Sequence, residues 1–85
     1  MKLWGKTRRD NRTVSSETVT VAARSAIEVD DWSEPFSRLC GKLNLSRPVI
    51  LKKHVRELNE FSHTVFFPAD FMEPVDFERF EIEIY

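Results

Sequence analysis

Glycine is nearly absent from this chain. Gly5 and Gly41 are the only two among 85 residues, so no glycine-rich loop exists to cradle a phosphate, and nucleotide hydrolysis by that route is excluded. Cysteine occurs once, as Cys40, which rules out an internal disulfide and suits a reducing compartment. No apolar run approaches the roughly 18 residues of a membrane span, and the opening MKLWGKTRRD lacks the apolar segment of a signal peptide. A cytoplasmic address without a membrane partner is the simplest expectation. Neither sign of charge prevails, the net charge being -1, and no internal repeat, low-complexity tract or linker is visible.

What is present is a core-forming composition. The apolar share is 41% and the aromatic share 12%, with phenylalanine used seven times, which a disordered chain would lack. Residues 1–85 read as one domain that buries about 60–65% of its unfolded surface, enough for one thin core and too little for a deep enzyme pocket.

Periodicity orders the elements. Lys2 to Arg9 reads as a strand in which Gly5 marks a bulge or a close backbone approach. Asp10 and Asn11 suit a tight hairpin loop with positive φ, and Thr13 to Ala23 returns with Val19 and Val21 inward. That loop sets Thr7 opposite Val14 and Leu3 opposite Thr18, unless a bulge near Ser15-Ser16 moves Leu3 or Trp4 onto Val19. Ala22 to Val29 fits strand or helical turn equally well. Trp32, Phe36, Leu39, Cys40 and Leu43 share one face of a helix over Ser33 to Leu43, with Asp30, Asp31 or Ser33 as cap and Asn44 as stop. Leu51, Val55, Leu58 and Phe61 give a second helix its apolar face. His63 to Phe67 follows as a well-buried strand, Pro68 starts a single helical turn, and Phe80, Ile82 and Ile84 alternate in a last strand whose other face is acidic and wet. The order β-β-α-α-β-β predicts an α+β domain: a mainly antiparallel sheet of about four strands with two short helices on one face.

Charge is unevenly spread. Residues 1–12 carry Lys2, Lys6, Arg8, Arg9 and Arg12 against Asp10 alone, whereas residues 63–85 carry six acids against Arg79. Trp4, Lys6, Arg8, Arg9 and Arg12 are therefore the candidate contact surface, since a basic ribbon with an aromatic can follow a phosphate backbone and stack a base. Internal pairing competes with that reading and is preferred: if the first and last strands are neighbours, Lys6 and Arg8 face Glu81 and Glu83.

Three chemical readings rank lower. His54, Glu57 and His63 are positions to watch for a metal, but two ligands on a helix and one beyond its end make no recognised spacing, so no metal is expected. Cys40 lies beside Leu39 and Leu43, where a small core residue is expected before a nucleophile. Glu81 and Glu83 face one way on a strand, as a glycosidase pair would, yet so small a chain offers no cleft for a sugar.

Together LWGK, PVILKKHVRELNEF and HTVFFPADFMEPVDFERFEIEI resemble a group of small bacterial proteins of uncharacterised function. The resemblance covers most of the chain and implies a bacterial, cytoplasmic, single-domain protein, with no active-site residue, cofactor or substrate carried over. The expectation is a non-enzymatic module without cofactor that binds protein or itself; for Trp4, Phe66, Phe71, Phe77 and Tyr85 two readings stand level, an exposed anchor among them or all of them core. Nucleic-acid binding through the basic hairpin is the alternative, and a small metal-dependent or thiol enzyme a distant third.

Overall fold

The computed structural model describes all residues from Met1 to Tyr85. The elements are β1 (Lys2–Arg9), β2 (Arg12–Thr20), α1 (Ser33–Lys42), α2 (Lys52–Phe61), β3 (His63–Phe66) and β4 (Arg79–Ile84), with short 3-10 turns at Ala26–Glu28 and Pro68–Asp70. They build the expected α+β domain, one antiparallel sheet ordered β2-β1-β4-β3 with both helices packed on one face. No helix is long and apolar enough to cross a membrane.

The β1–β2 turn takes the expected form, with Asp10 at φ 53° and Asn11 at φ 60°. The strands pair Leu3 with Val19 and Thr7 with Ser15, then slip so that Arg8 meets Thr13 and Val14 is left over. The bulged register is thus the one adopted, and the unbulged pairing of Thr7 with Val14 and Leu3 with Thr18 is corrected. The bulge sits at Val14, next to Ser15-Ser16, and it turns Val14 to solvent. β2 stops at Thr20, short of Ala23, and the ambiguous stretch that follows becomes a 3-10 turn in which Glu28 Oε2 accepts the Arg24 N–H at 2.8 Å.

Gly5 marks a close approach. A Cβ there would fall 2.7 Å from Leu39 Cδ2 and 3.0 Å from the Phe80 ring, so the glycine lets α1 sit down on β1. Gly5→Ala is expected to cost about 1–3 kcal/mol in urea unfolding through overpacking. A variant as stable as the parent would mean that Leu39 has room to rotate away.

α1 keeps its anticipated face, with Trp32, Phe36, Leu39 and Cys40 buried. Asp31 Oδ1 accepts the Ser33 N–H at 2.9 Å, and Asn44 ends the helix at φ 60° while the Leu45 N–H returns to the Cys40 carbonyl at 2.9 Å. The bond from Ser33 holds the Asp31 carboxyl below its usual range, against a smaller opposing effect of desolvation and with a weak pull from Arg47.

α2 corrects the expected face. His54 and Leu58 are wholly buried, whereas Leu51 and Phe61 are 45% and 69% exposed. Ser62, left-handed at φ 57°, reverses the chain so that β3 runs back beneath α2. That reversal brings the Phe66 ring to 4.1 Å from the imidazole of His54 and leaves Phe61 at the sheet's margin. The core is aromatic: Phe36 meets Phe66 edge-on at 5.4 Å, and Phe71 meets Phe77 at 5.3 Å beside Phe80. Phe66, Phe71 and Phe77 are therefore core and not surface anchors; of the candidate anchors Trp4 is half-buried and Tyr85 is exposed.

Candidate functional site: the open sheet face and its two edges

The second face of the sheet carries no helix. Strand alternation and register set Thr18, Trp4, Glu83 and His63 in one row across it and Ser16, Lys6, Glu81 and Val65 in the next. Because β4 lies beside β1, the basic and acidic ends of the sequence become neighbours. Lys6 Nζ stands 3.7 Å from Glu81 Oε1 and 3.9 Å from Glu83 Oε1, and 4.3 Å from the centre of the Trp4 ring. Partial burial opposes ionisation of Glu81, but the Arg79 Nε–H donated at 2.8 Å and the charges of Arg79, Lys6 and Arg8 hold its carboxyl below the usual value. This face is acidic but not fully wet, since the Glu81 side chain is only 17% exposed.

The other candidate cations are also engaged. Arg8 stands opposite Arg79 and not opposite an acid, which corrects the expected pairing with Glu83. It turns back to donate from Nη1 to Thr13 Oγ1 at 2.9 Å and from Nη2 to the Asn11 carbonyl at 3.3 Å. Arg9 Nη1 donates to the Asp76 carbonyl at 3.1 Å, and Glu78 Oε1 accepts the Asp10 N–H at 2.6 Å. The acidic segment before β4 thereby clasps the basic turn. Of the four cations among the predicted residues, only Arg12 is left without an ion pair or side-chain hydrogen bond.

The metal candidates do not converge. His54 is buried with its Nδ1 accepting the Leu51 N–H at 3.0 Å, and Glu57 Oε1 accepts the Thr64 hydroxyl at 2.6 Å. His63 lies on the open face opposite Glu83, and no three His, Cys, Asp or Glu side chains gather in a way that could hold an ion. Burial pushes the Cys40 thiol up to about 11, against a weaker opposing pull from Arg47, so it stays protonated and a poor nucleophile at neutral pH. A wide groove of about 660 Å³ between Ile27 and α2 has aliphatic walls and helix-surface charges, with no histidine or cysteine.

The two sheet edges differ. Along β2 the carbonyls of Thr18 and Thr20 accept Lys42 Nζ at 3.0 Å and Arg38 Nη2 at 2.9 Å, so α1 covers the edge with cations, and the Val14 bulge bends what remains. Along β3 the Ile84 N–H donates to the Ser62 carbonyl at 2.9 Å, which makes Ser62, Thr64 and Phe66 the residues bonded to β4. The N–H and C=O groups of His63 and Val65 consequently point outward. A shallow groove of about 220 Å³ runs beside them, walled by Lys53, Glu57 and Phe61 on α2 and ending at Phe67. Phe61 and Phe67 are 69% and 51% exposed.

Sequence reasoning missed this edge. HTVFF carries strong strand character, but edge status depends on which strand β4 sits beside, and only the protruding second phenylalanine hinted at it. The architecture defines a two-layer α+β domain with one bare strand edge. No known family model, curated protein or solved structure matches the chain.

Proposed function

We propose that this protein is a non-catalytic, cytoplasmic interaction module that binds an extended protein segment by strand addition to the outer edge of β3. The asymmetry of the two sheet edges carries this reading: β2 is bulged and covered by Arg38 and Lys42, whereas β3 offers unpaired backbone groups between two exposed phenylalanines. Main-chain bonds would supply affinity there, and Phe61 and Phe67 would select apolar side chains at either end. The single buried, unpaired thiol of Cys40 supports the address.

Nucleic-acid contact through Trp4, Lys6, Arg8, Arg9 and Arg12 is the weaker reading. Three of its four cations are already held by Glu81, Glu83, Asp76 and hairpin acceptors, so only Arg12 brings a free charge.

Peptides selected from a random displayed library are expected to be extended and rich in β-branched residues. Their binding should be lost in Val65→Pro, which removes an outward N–H that the fold does not use, and kept in Arg8→Ala/Arg9→Ala. Peptides indifferent to Val65→Pro in a folded variant would overturn the reading. So would tight, salt-sensitive binding of single-stranded oligonucleotide that the arginine variant abolishes.

A further inference from the structure

Strand addition at β3 leaves its occupant open, and resting on that reading we infer that the occupant is a second copy of this chain. The two copies pair β3 to β3, antiparallel, about a two-fold axis through Thr64.

The register follows from where the free groups lie. The outward N–H and C=O groups belong to His63 and Val65, which flank Thr64 on either side. An axis at Thr64 sets His63 against the partner's Val65 and Val65 against the partner's His63. Each such pair exchanges two N–H···O bonds, so every outward group of the short strand is satisfied. The N–H of Phe67 is already donated to Asp70 Oδ2 at 2.8 Å, which ends the free edge where that pairing ends.

The same axis places the exposed rings together. Phe61, the last residue of α2, stands at the His63 end of the groove and Phe67 closes its other end, so reversal about the axis brings each Phe61 toward the partner's Phe67, twice over. Two rings that are 69% and 51% exposed are covered by one operation. An isologous contact requires a surface that complements itself, and these positions meet that requirement.

Charge fits in the same sense. α2 runs antiparallel to β3, with Glu57 bonded to Thr64 at the axis, Phe61 at one end of the groove and Lys53 at the other. Reversal by the two-fold brings each Lys53 to the partner's Phe61 and within side-chain reach of the partner's Glu57. The two Glu57 carboxylates near the axis are thus flanked by a lysine from each copy. A parallel arrangement would stack like upon like. The β2 edge offers no such match, because Arg38 and Lys42 already occupy its carbonyls.

Sedimentation equilibrium over a wide concentration range tests the inference, with hydrogen exchange of the full chain read at both extremes. The mass is expected to rise from monomer to dimer while the amides of His63 and Val65 slow with concentration. Phe61→Lys/Phe67→Lys should abolish the dimer and Lys53→Glu should weaken it at least tenfold, all at surface positions that leave the fold intact by circular dichroism. Val14→Lys, equally exposed but on the other edge, should change nothing. A monomer at every concentration would overturn the inference, while peptide capture at β3 could still stand. A dimer indifferent to the phenylalanine variants, with the Val65 amide exchanging freely, would overturn both the register and strand addition at this edge.

Discussion

Truncating Phe66 to alanine is expected to remove about 3–5 kcal/mol of stability, a large part of the roughly 4–13 kcal/mol that 85 residues ordinarily hold. Phe66 is fully buried and joins three elements at once: its ring meets Phe36 of α1 at 5.4 Å, His54 of α2 at 4.1 Å and Phe80 of β4 at 6.3 Å. No neighbour can collapse into the space without leaving another contact, so both the lost burial and the cavity count. Urea unfolding should show a midpoint far below the parent's. The adjacent Phe67→Ala, half exposed, should lie within about 0.5 kcal/mol of the parent. Equal costs for the two would mean that Phe66 is not the junction described.

Mild acid is expected to destabilise the fold through His54. Its Nδ1 accepts the Leu51 N–H, so the neutral ring carries its proton on Nε2, which is buried without a partner 4.0 Å from Asp70 Oδ2. Burial lowers its pKa below 6.5; Asp70 pulls the other way, Lys53 adds to the lowering, and Glu57 opposes it. The unfolded chain takes up the proton near pH 6.5 and the folded chain only at lower pH, so between those points the unfolded state binds more protons. The contribution of neutral His54 is therefore complete above about pH 6.5 and is lost as pH falls toward the folded value, at no more than about 1.4 kcal/mol per pH unit. Protonation also costs the Leu51 bond, because a charged imidazole has no acceptor nitrogen. Asp31 and Glu81 have lowered pKa values, so their contributions are complete above the ordinary carboxylate range and are lost as pH falls through it toward the folded values, which leaves the interval from about pH 6.5 to 5 to His54. His54→Gln keeps an acceptor at the third helical position and does not titrate. Its unfolding free energy should be lower at pH 7 through the lost stacking on Phe66, and flatter across that interval. A parent slope that persists in His54→Gln would place the acid sensitivity elsewhere.

Much of this architecture was legible because local patterns were strong. Asp10-Asn11 announced its turn, the alternation of Phe80, Ile82 and Ile84 announced a strand, and Trp32, Phe36, Leu39 and Cys40 announced one helical face. On the helical wheel His54 falls beside Leu58, on or next to the apolar face of α2, but nothing local shows that its ring stacks on Phe66 or that its Nδ1 is satisfied by a backbone N–H one turn back. Phe61 was misread because a phenylalanine at the end of a helix can overhang the sheet that the helix covers. The bulge at Val14 depends on how β1 satisfies β2 and β4 together, which no local window contains. The candidate site fared worst. Lys6 was correctly seen as an internal partner of Glu81, but the bare edge of β3 is a property of strand order, and strand order is set by long-range pairing.

That order has a consequence for the chain while it is being made. Of the four strands of this sheet β4 is made after the other three, yet it lies between β1 and β3. Until Arg79–Ile84 emerges, the β1–β2 hairpin and the α2–β3 segment have no common partner, and Phe66 and Leu3 have no Phe80 or Ile82 to lie against. Co-translational folding of this sheet therefore cannot proceed piecemeal from β1 onward, because the closing strand follows the three that it joins. A nascent chain halted before Arg79 would expose its aromatic residues and the inner margins of two strands to chaperones and proteases, so interrupted products should be cleared rather than accumulate as partial domains.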